Sequence, residues 1–305
     1  MFGRIKNKLL KVIFDRSMSW RLGEFVAPQY PIILEYPINP VPRYGYGKPP
    51  HASLNELLAR RDQVYEAQLQ SWLDYSDAIS AIARDPQKDG TAPTFMNTFF
   101  SGLDAVGLYA LLAKSNPATL LEIGSGFSTR FARRSIQDNG LRTRIVSCDP
   151  EPRADIASIS DRIIREPFEQ LDLSILDTLG ESDILFIDSS HRCFTNSDVT
   201  VQFLEAIPRL KPGVLIHIHD ILLPYDYPPS WSDRHYSEQY LLACYLLGGG
   251  RNCEIMCPHA YISKQEHLAG VLQSLWQRPG MDTVLAHTRK LYDGYLGYSF
   301  WMRTK

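Results

Sequence analysis

Cysteine is scarce in this chain: five among 305 residues, at Cys148, Cys193, Cys244, Cys253 and Cys257. An odd, unpatterned set excludes a disulfide framework and fits reduced thiols in a cytoplasmic protein. Cys253 and Cys257 enclose three residues, but no second pair completes a zinc site. Charge of one sign is lacking too. Against 34 Asp and Glu stand 32 Lys and Arg, a net charge of -2, so nothing global favours nucleic acid as a partner. No apolar run reaches the roughly 18 residues of a spanning helix. Neither a Gly-x-Ser-x-Gly elbow nor a His-Glu-x-x-His helix occurs, which speaks against a hydrolase. Internal repeats and low-complexity tracts are absent as well.

What is present suits a globule with a real core, since 44% of the residues are hydrophobic. Residues 1–16 alternate Arg4, Lys6, Lys8, Lys11 and Arg16 with Phe2, Ile5, Leu9, Leu10, Ile13 and Phe14, without the cleavage site of a secretory signal. Such a helix fits packing on its own domain or a partner chain, or peripheral contact with an anionic inner membrane surface. Residues 20–50, rich in Pro, Tyr and Gly, read as an extended arm suited to wrapping a neighbouring copy in a homo-oligomer. Ser53 to Arg84 reads as one long helix and Asp104 to Lys114 as another, capped by Ser101 or Asp104. From Thr119 onward, strands alternate with helices, the mark of a parallel sheet. Strands are expected at 119–123, 143–148, 161–165, 183–187 and 213–219, near 253–256, and at 297–302. Helices are expected near 128–138, 152–158, 169–179, 196–207, 237–247 and 268–276. Residues 1–100 read as an arm with a helical extension, and 101–305 as the main domain.

Right-handed crossovers put loops 124–128, 149–151, 188–195 and 219–236 at the carboxyl edge of the sheet. The polar clusters fall there. Thr119-Leu-Leu-Glu-Ile-Gly-Ser-Gly-Phe-Ser-Thr129 ends a strand in a turn whose glycines, Gly124 and Gly126, allow close approach of a nucleotide-like ligand. Thr129 stands where a dinucleotide fingerprint has its third glycine. Asp149, after the second strand, is placed to accept from both hydroxyls of a ribose. Asp188 ends the fourth strand, and three residues later comes His191, a side chain suited to moving protons. The fifth strand runs into His217-Ile-His219-Asp220. Asp188, His219 and Asp220 form a donor set for a divalent ion, although histidine is a poor ligand for magnesium; a metal-free polar site is the competing reading. The segment Leu223 to Tyr236, dense in aromatics and prolines, suits a lid or substrate wall.

Glu122-Ile-Gly-Ser-Gly, Asp149, Phe186-Ile-Asp188 and Leu210-Lys-Pro-Gly, in this order, resemble the class I S-adenosylmethionine-dependent methyltransferases over about 119–302. The closer resemblance is to a bacterial subgroup often linked to cell-envelope polysaccharide clusters. It implies a Rossmann-like, doubly wound α/β sheet of seven strands, the last antiparallel, behind an N-terminal helical extension. It also implies S-adenosylmethionine as cofactor, held by the backbone at Gly124 and Gly126 with Ser125 and Ser128. By the same resemblance Glu122 lies near the cofactor's ammonium, directly or through water, Asp149 holds the ribose hydroxyls, Phe168 walls the adenine and Asp188 borders the site. Catechol-type members bind a divalent ion through an Asp after the fourth strand and an Asp-Asn pair after the fifth. Here Asp188 matches the first, while His219-Asp220 replaces the pair, which puts metal dependence in doubt. Their Lys base, three residues beyond the first Asp, is replaced by His191. The resemblance therefore implies O-methylation of a sugar or other small hydroxyl acceptor, small molecule or glycan, with His191 as general base and Asp220 as a second candidate. An NAD(P)-dependent oxidoreductase on a similar sheet, or a non-catalytic cofactor-binding scaffold, stays open as the alternative.

Overall fold

Leu120, Leu121 and Ile123 form an apolar run that needs cover on both faces, which a parallel sheet between helical layers provides. The computed structural model describes residues 40–84, 90–152, 155–250 and 252–305. The basic segment 1–16, most of the arm at 20–50 and part of the expected helix at 152–158 lie outside the described residues.

Seven strands form one sheet: β1 Thr119–Ile123, β2 Arg144–Cys148, β3 Arg162–Ile164, β4 Ile184–Ile187, β5 Leu215–Ile218, β6 Cys253–Pro258 and β7 Phe300–Thr304. Their order is β3-β2-β1-β4-β5-β7-β6. The first five pair in parallel, while β7 runs antiparallel to β5 and β6. This is the expected doubly wound sheet, with its last strand antiparallel. The order reverses between β1 and β4, so the loops leaving those two strands diverge and open a crevice at their carboxyl ends.

Helix α4 (Gly102–Ser115) is buried along most of its length and packs against α5 (Phe127–Asn139). The expected single helix from 53 to 84 is three: α1 Ala52–Ala59, α2 Asp62–Trp72 and α3 Ser76–Arg84. Arg61 leaves helical geometry, and Leu73–Tyr75 tightens into a 3-10 turn. These breaks let Leu58, Tyr65, Leu69, Trp72 and Ile79 all point into the main core. That core runs without a break across the expected border at 100/101.

Other expectations shift for local reasons. Residues 169–179 form two 3-10 stretches, Phe168–Gln170 and Leu173–Thr178, because extended Asp172 separates them and caps the Ser174 amide. Around 156–160 the chain makes a turn closed on the Ile156 carbonyl. Strand β7 begins at Phe300 because the amides of Tyr298 and Ser299 donate to the Asp104 carboxylate instead of a ladder. Helix α6 (Asp198–Val201) opens the expected helix near 196–207 and α7 (Glu238–Leu247) lies close to its expected span, whereas α8 (Met281–Leu291), which buries Met281, Val284 and Thr288, is outside the expected helices.

Candidate active site

The turn after β1 is built from its own side chains. Glu122 is wholly buried; Ser128 Oγ donates to its Oε1 at 2.5 Å, and Thr129 Oγ1 to its Oε2 at 2.6 Å. Ser147 Oγ reaches the same Oε2 at 3.3 Å. Thr129 Oγ1 in turn accepts from the Gly126 amide at 3.0 Å. Burial raises the Glu122 carboxyl to about 7, outweighing the hydroxyl donors that favour its charge. Both of its oxygens are taken, so Glu122 clamps the start of α5 and does not face an ammonium in the crevice. The Ser128 hydroxyl is likewise turned inward. This packing speaks against direct contact of these two side chains with a ligand.

The two glycines do different jobs. At Gly124, φ is +78° and a Cβ would lie 1.9 Å from the Asp188 carbonyl oxygen, so glycine is needed for β1 and β4 to close on each other. At Gly126 a Cβ would meet nothing within 4 Å: the backbone there faces open space. Asp149 stands beside it. Its Oδ2 accepts from Ser125 N at 2.9 Å and Ser125 Oγ at 3.0 Å, and its Oδ1 accepts from Glu151 N at 2.9 Å. The carboxylate is thereby held half-buried over the turn; Oδ2 already accepts two hydrogen bonds, while Oδ1, with one, keeps acceptor capacity for a hydroxyl. Phe168 is only 3% exposed and belongs to the main core, so it offers no open face to an adenine ring; this expectation too is corrected.

Across the crevice, Asp188, His191, His219 and Asp220 converge with Glu238 from the first turn of α7. His191 Nδ1 lies 2.8 Å from Glu238 Oε2, and its Nε2 lies 3.3 Å from Asp188 Oδ1 and 3.6 Å from Asp220 Oδ2. His219 Nδ1 lies 3.5 Å from Asp220 Oδ1 and 3.6 Å from Asp188 Oδ1, with its Nε2 3.3 Å from Asp104 Oδ2. His191 and Asp220 both hold left-handed backbone, φ +59° and +54°, uncommon for residues with a side chain and typical of functional sites.

The electrostatics follow from this alternation. Burial works against a charged His191, but Asp188, Glu238 and Asp220 outweigh it and raise its pKa well above the usual value. His219 is raised in the same way, burial being overcome first by Asp188 and Asp220. Asp188 is held well below the ordinary carboxylate range because the two imidazoles prevail over burial. Asp220 moves the other way: burial dominates and raises it. The three carboxylates facing His191 thus favour its charged form, which works against the expected role of base.

The expected metal ligands do come together, but not as a ligand set. His219 Nδ1 faces both Asp188 and Asp220, and its Nε2 is turned to Asp104. Among the described residues, no group of three or more His, Cys, Asp and Glu is arranged to hold a metal ion.

Sequence reasoning gave Asp104 only as a possible helix cap and did not single out His259 or Glu238 for the site. Asp104 is fully buried, accepting from His259 Nδ1 at 2.8 Å and from His219, Tyr298 N and Ser299 N. It thus ties α4 to β5 and β7. His217, by contrast, is a core residue stacked on Phe186 at 3.8 Å and bonded to Ser299 Oγ, its charge suppressed first by burial. The loop after β5 is not an open flap: Leu222, Tyr227, Tyr292, Tyr295 and Tyr298 form a second core, with Trp231 and Tyr236 packed at its edge. A cleft of about 360 Å³ opens at the opposite, amino-terminal edge, lined by Lys114, Ser182, Gly213 and Arg303 among others, away from all these groups.

No curated protein matches the chain. Among solved structures, it is similar to the plantazolicin methyltransferase BamL, in complex with a triazolic desmethylPZN analog and SAH. That likeness has 14% identity and a TM-score of 0.40, covering 82% of this chain and 98% of that one. SAH-bound PaMTH1 from Podospora anserina is similar at 16% identity and a TM-score of 0.33, covering 82% and 96%. Cofactor-bound Rv0187 from MTB is similar at 20% identity and 0.35, covering 62% and 81%. Likenesses this distant carry no argument about chemistry. The family match is nearer: residues 121–221, from β1 to the end of the Asp188–Asp220 cluster, match the model described as a methyltransferase domain. That stretch, about a third of the chain, is what is similar to a methyltransferase domain.

Proposed function

We propose that the chain transfers a methyl group from S-adenosylmethionine to a hydroxyl of a sugar or other small acceptor. The observation that carries this reading is the pairing, at the switch point of the sheet, of open backbone at Gly126 with the Asp149 carboxylate. An anionic acceptor with Oδ1 still able to accept, held beside bare backbone, matches a hydroxyl of a nucleoside's ribose. When bound there, the cofactor supplies an electrophilic methyl on a sulfonium. The chain's own work is to align the acceptor oxygen, exclude water and take a proton.

Asp220 is the proton acceptor in this reading. Its carboxyl is raised by burial, so it is a stronger base than an ordinary aspartate. Asp188 is held low by the two imidazoles and is the weaker base, and the carboxylates around His191 favour its charged form. Glu238 orients His191 through Nδ1, and Asp104 orients His219 through Nε2. The carboxylates Asp188, Asp220, Glu238 and Asp104 outnumber the two imidazoliums facing them, which favours a cationic sulfonium over its neutral product.

Incubation with methyl-labelled S-adenosylmethionine and a panel of sugar and phenol acceptors tests the reading. Label is expected on a hydroxyl acceptor with the wild type, at a rate lower by about 10²–10⁴ in Asp220→Asn. Label that stays on the cofactor with every acceptor, or that moves equally fast in the variant, contradicts it.

A further inference from the structure

Two guanidinium groups stand at the rim of this cluster with no carboxylate to neutralise them. Arg192, next to His191, donates Nε to the Arg234 carbonyl at 2.9 Å and Nη1 to the Ser190 carbonyl at 3.2 Å. Its guanidinium carbon sits 5.3 Å from the centre of the Tyr236 ring. That of Arg234 lies 4.3 Å from the centre of the Trp231 ring and 5.5 Å from that of Tyr236. Among the described residues neither arginine pairs with an acidic side chain. Tyr236 ties the group to the cluster, its ring centre 4.7 Å from that of His191. Trp231 and Tyr236 are half-buried and meet edge to face at 5.6 Å, so part of each ring stays open.

Cations held by backbone carbonyls and ring faces are pre-positioned, which lowers the cost of engaging an anion. Their placement has an electrostatic consequence. Asp188, Asp220 and Glu238 would repel an anionic acceptor from the crevice; Arg192 and Arg234 reverse the field at its entrance. A ring lying on Trp231 or Tyr236 would bring an acidic substituent to the guanidiniums while its hydroxyl pointed inward.

We propose that the methyl acceptor is a ring compound carrying an acidic group, a carboxylate or a phosphate, that Arg192 and Arg234 hold at this rim. The inference rests on the methyl-transfer reading and names its substrate class.

The test is calorimetry on protein loaded with S-adenosylhomocysteine, titrated with glucuronate, glucose 6-phosphate and glucose. At least one charged sugar is expected to bind about tenfold or more tighter than glucose, and which one does so separates carboxylate from phosphate. That preference is expected to fade as salt is raised and to disappear in Arg192→Gln/Arg234→Gln, with affinity for S-adenosylhomocysteine unchanged. Should the variant not fold, the salt dependence of the wild type carries the test alone. Equal binding of all three sugars, binding of none, or an unchanged preference in the folded variant overturns the proposal. Failure of S-adenosylhomocysteine itself to bind would instead overturn the methyl-transfer reading.

Discussion

Replacing Glu122 with Gln substitutes one NH₂ for one oxygen in a fully buried site, and its effect on stability depends on pH in a calculable way. The native carboxyl is raised from 4.5 to about 7, chiefly by burial. At about 1.4 kcal/mol per pH unit, that displacement corresponds to about 3 kcal/mol. The sign follows from proton counting. Between 4.5 and 7 the folded chain keeps the proton and the unfolded chain has lost it, so the stabilisation is full below 4.5 and is lost as pH rises to 7. Above that, wild-type Glu122 sits as a buried anion, held by Ser128, Thr129 and Ser147. Glutamine stays neutral throughout, its carbonyl able to accept from Thr129 while its amide donates to Ser128. Urea unfolding at pH 5 and pH 8 is therefore expected to show Glu122→Gln gaining on the wild type by up to about 3 kcal/mol at the higher pH. S-adenosylhomocysteine affinity should hardly change. A stability difference independent of pH would refute the buried-clamp assignment. A large loss of cofactor affinity with unchanged stability would return Glu122 to the ligand's side.

Three further outcomes are expected. Gly124→Ala, with a Cβ 1.9 Å from the Asp188 carbonyl and φ at +78°, should destabilise the fold by about 3 kcal/mol or more, whereas Gly126→Ala should melt like the wild type yet bind S-adenosylhomocysteine more weakly. Thermal melts and calorimetry on the pair check this. Turnover of the wild type should rise with pH through a group above the usual carboxylate range, and Asp220→Asn should lose that limb of the profile. Glu238→Gln, which weakens the 2.8 Å bond orienting His191, should lower kcat about tenfold with cofactor affinity intact; an unchanged kcat in steady-state assays would remove Glu238 from the mechanism.

The sheet was legible because its strands are apolar runs buried on both faces, with lengths and turns that allow little else, and the carboxyl edge followed from the handedness of the crossovers. That reasoning brought Gly126, Asp149, Asp188, His191, His219 and Asp220 to one crevice from sequence alone. What it could not give was the direction of side chains near a turn. Ser128 and Thr129 become neighbours of Glu122 only once Gly124 has reversed the chain, so an acidic residue that read as ligand-facing is an internal clamp. Nor could it find Asp104 and Glu238. Both sit in the first turn of a helix, where a carboxylate reads as a cap, and only the packed fold turns them toward His219 and His191. The histidines show the same limit: His217 and His219 share a strand face, yet one is kept neutral by burial while carboxylates charge the other.

Calorimetric titration of S-adenosylhomocysteine into the wild type and Asp149→Ala, with NADH as the contrasting ligand, tests the central claim most directly. The wild type should bind S-adenosylhomocysteine and ignore NADH, and removal of the carboxylate beside Gly126 should weaken binding by about 10- to 10²-fold, as loss of a charge-assisted hydrogen bond would. No heat from S-adenosylhomocysteine, preference for NADH, or equal affinity in Asp149→Ala would contradict it.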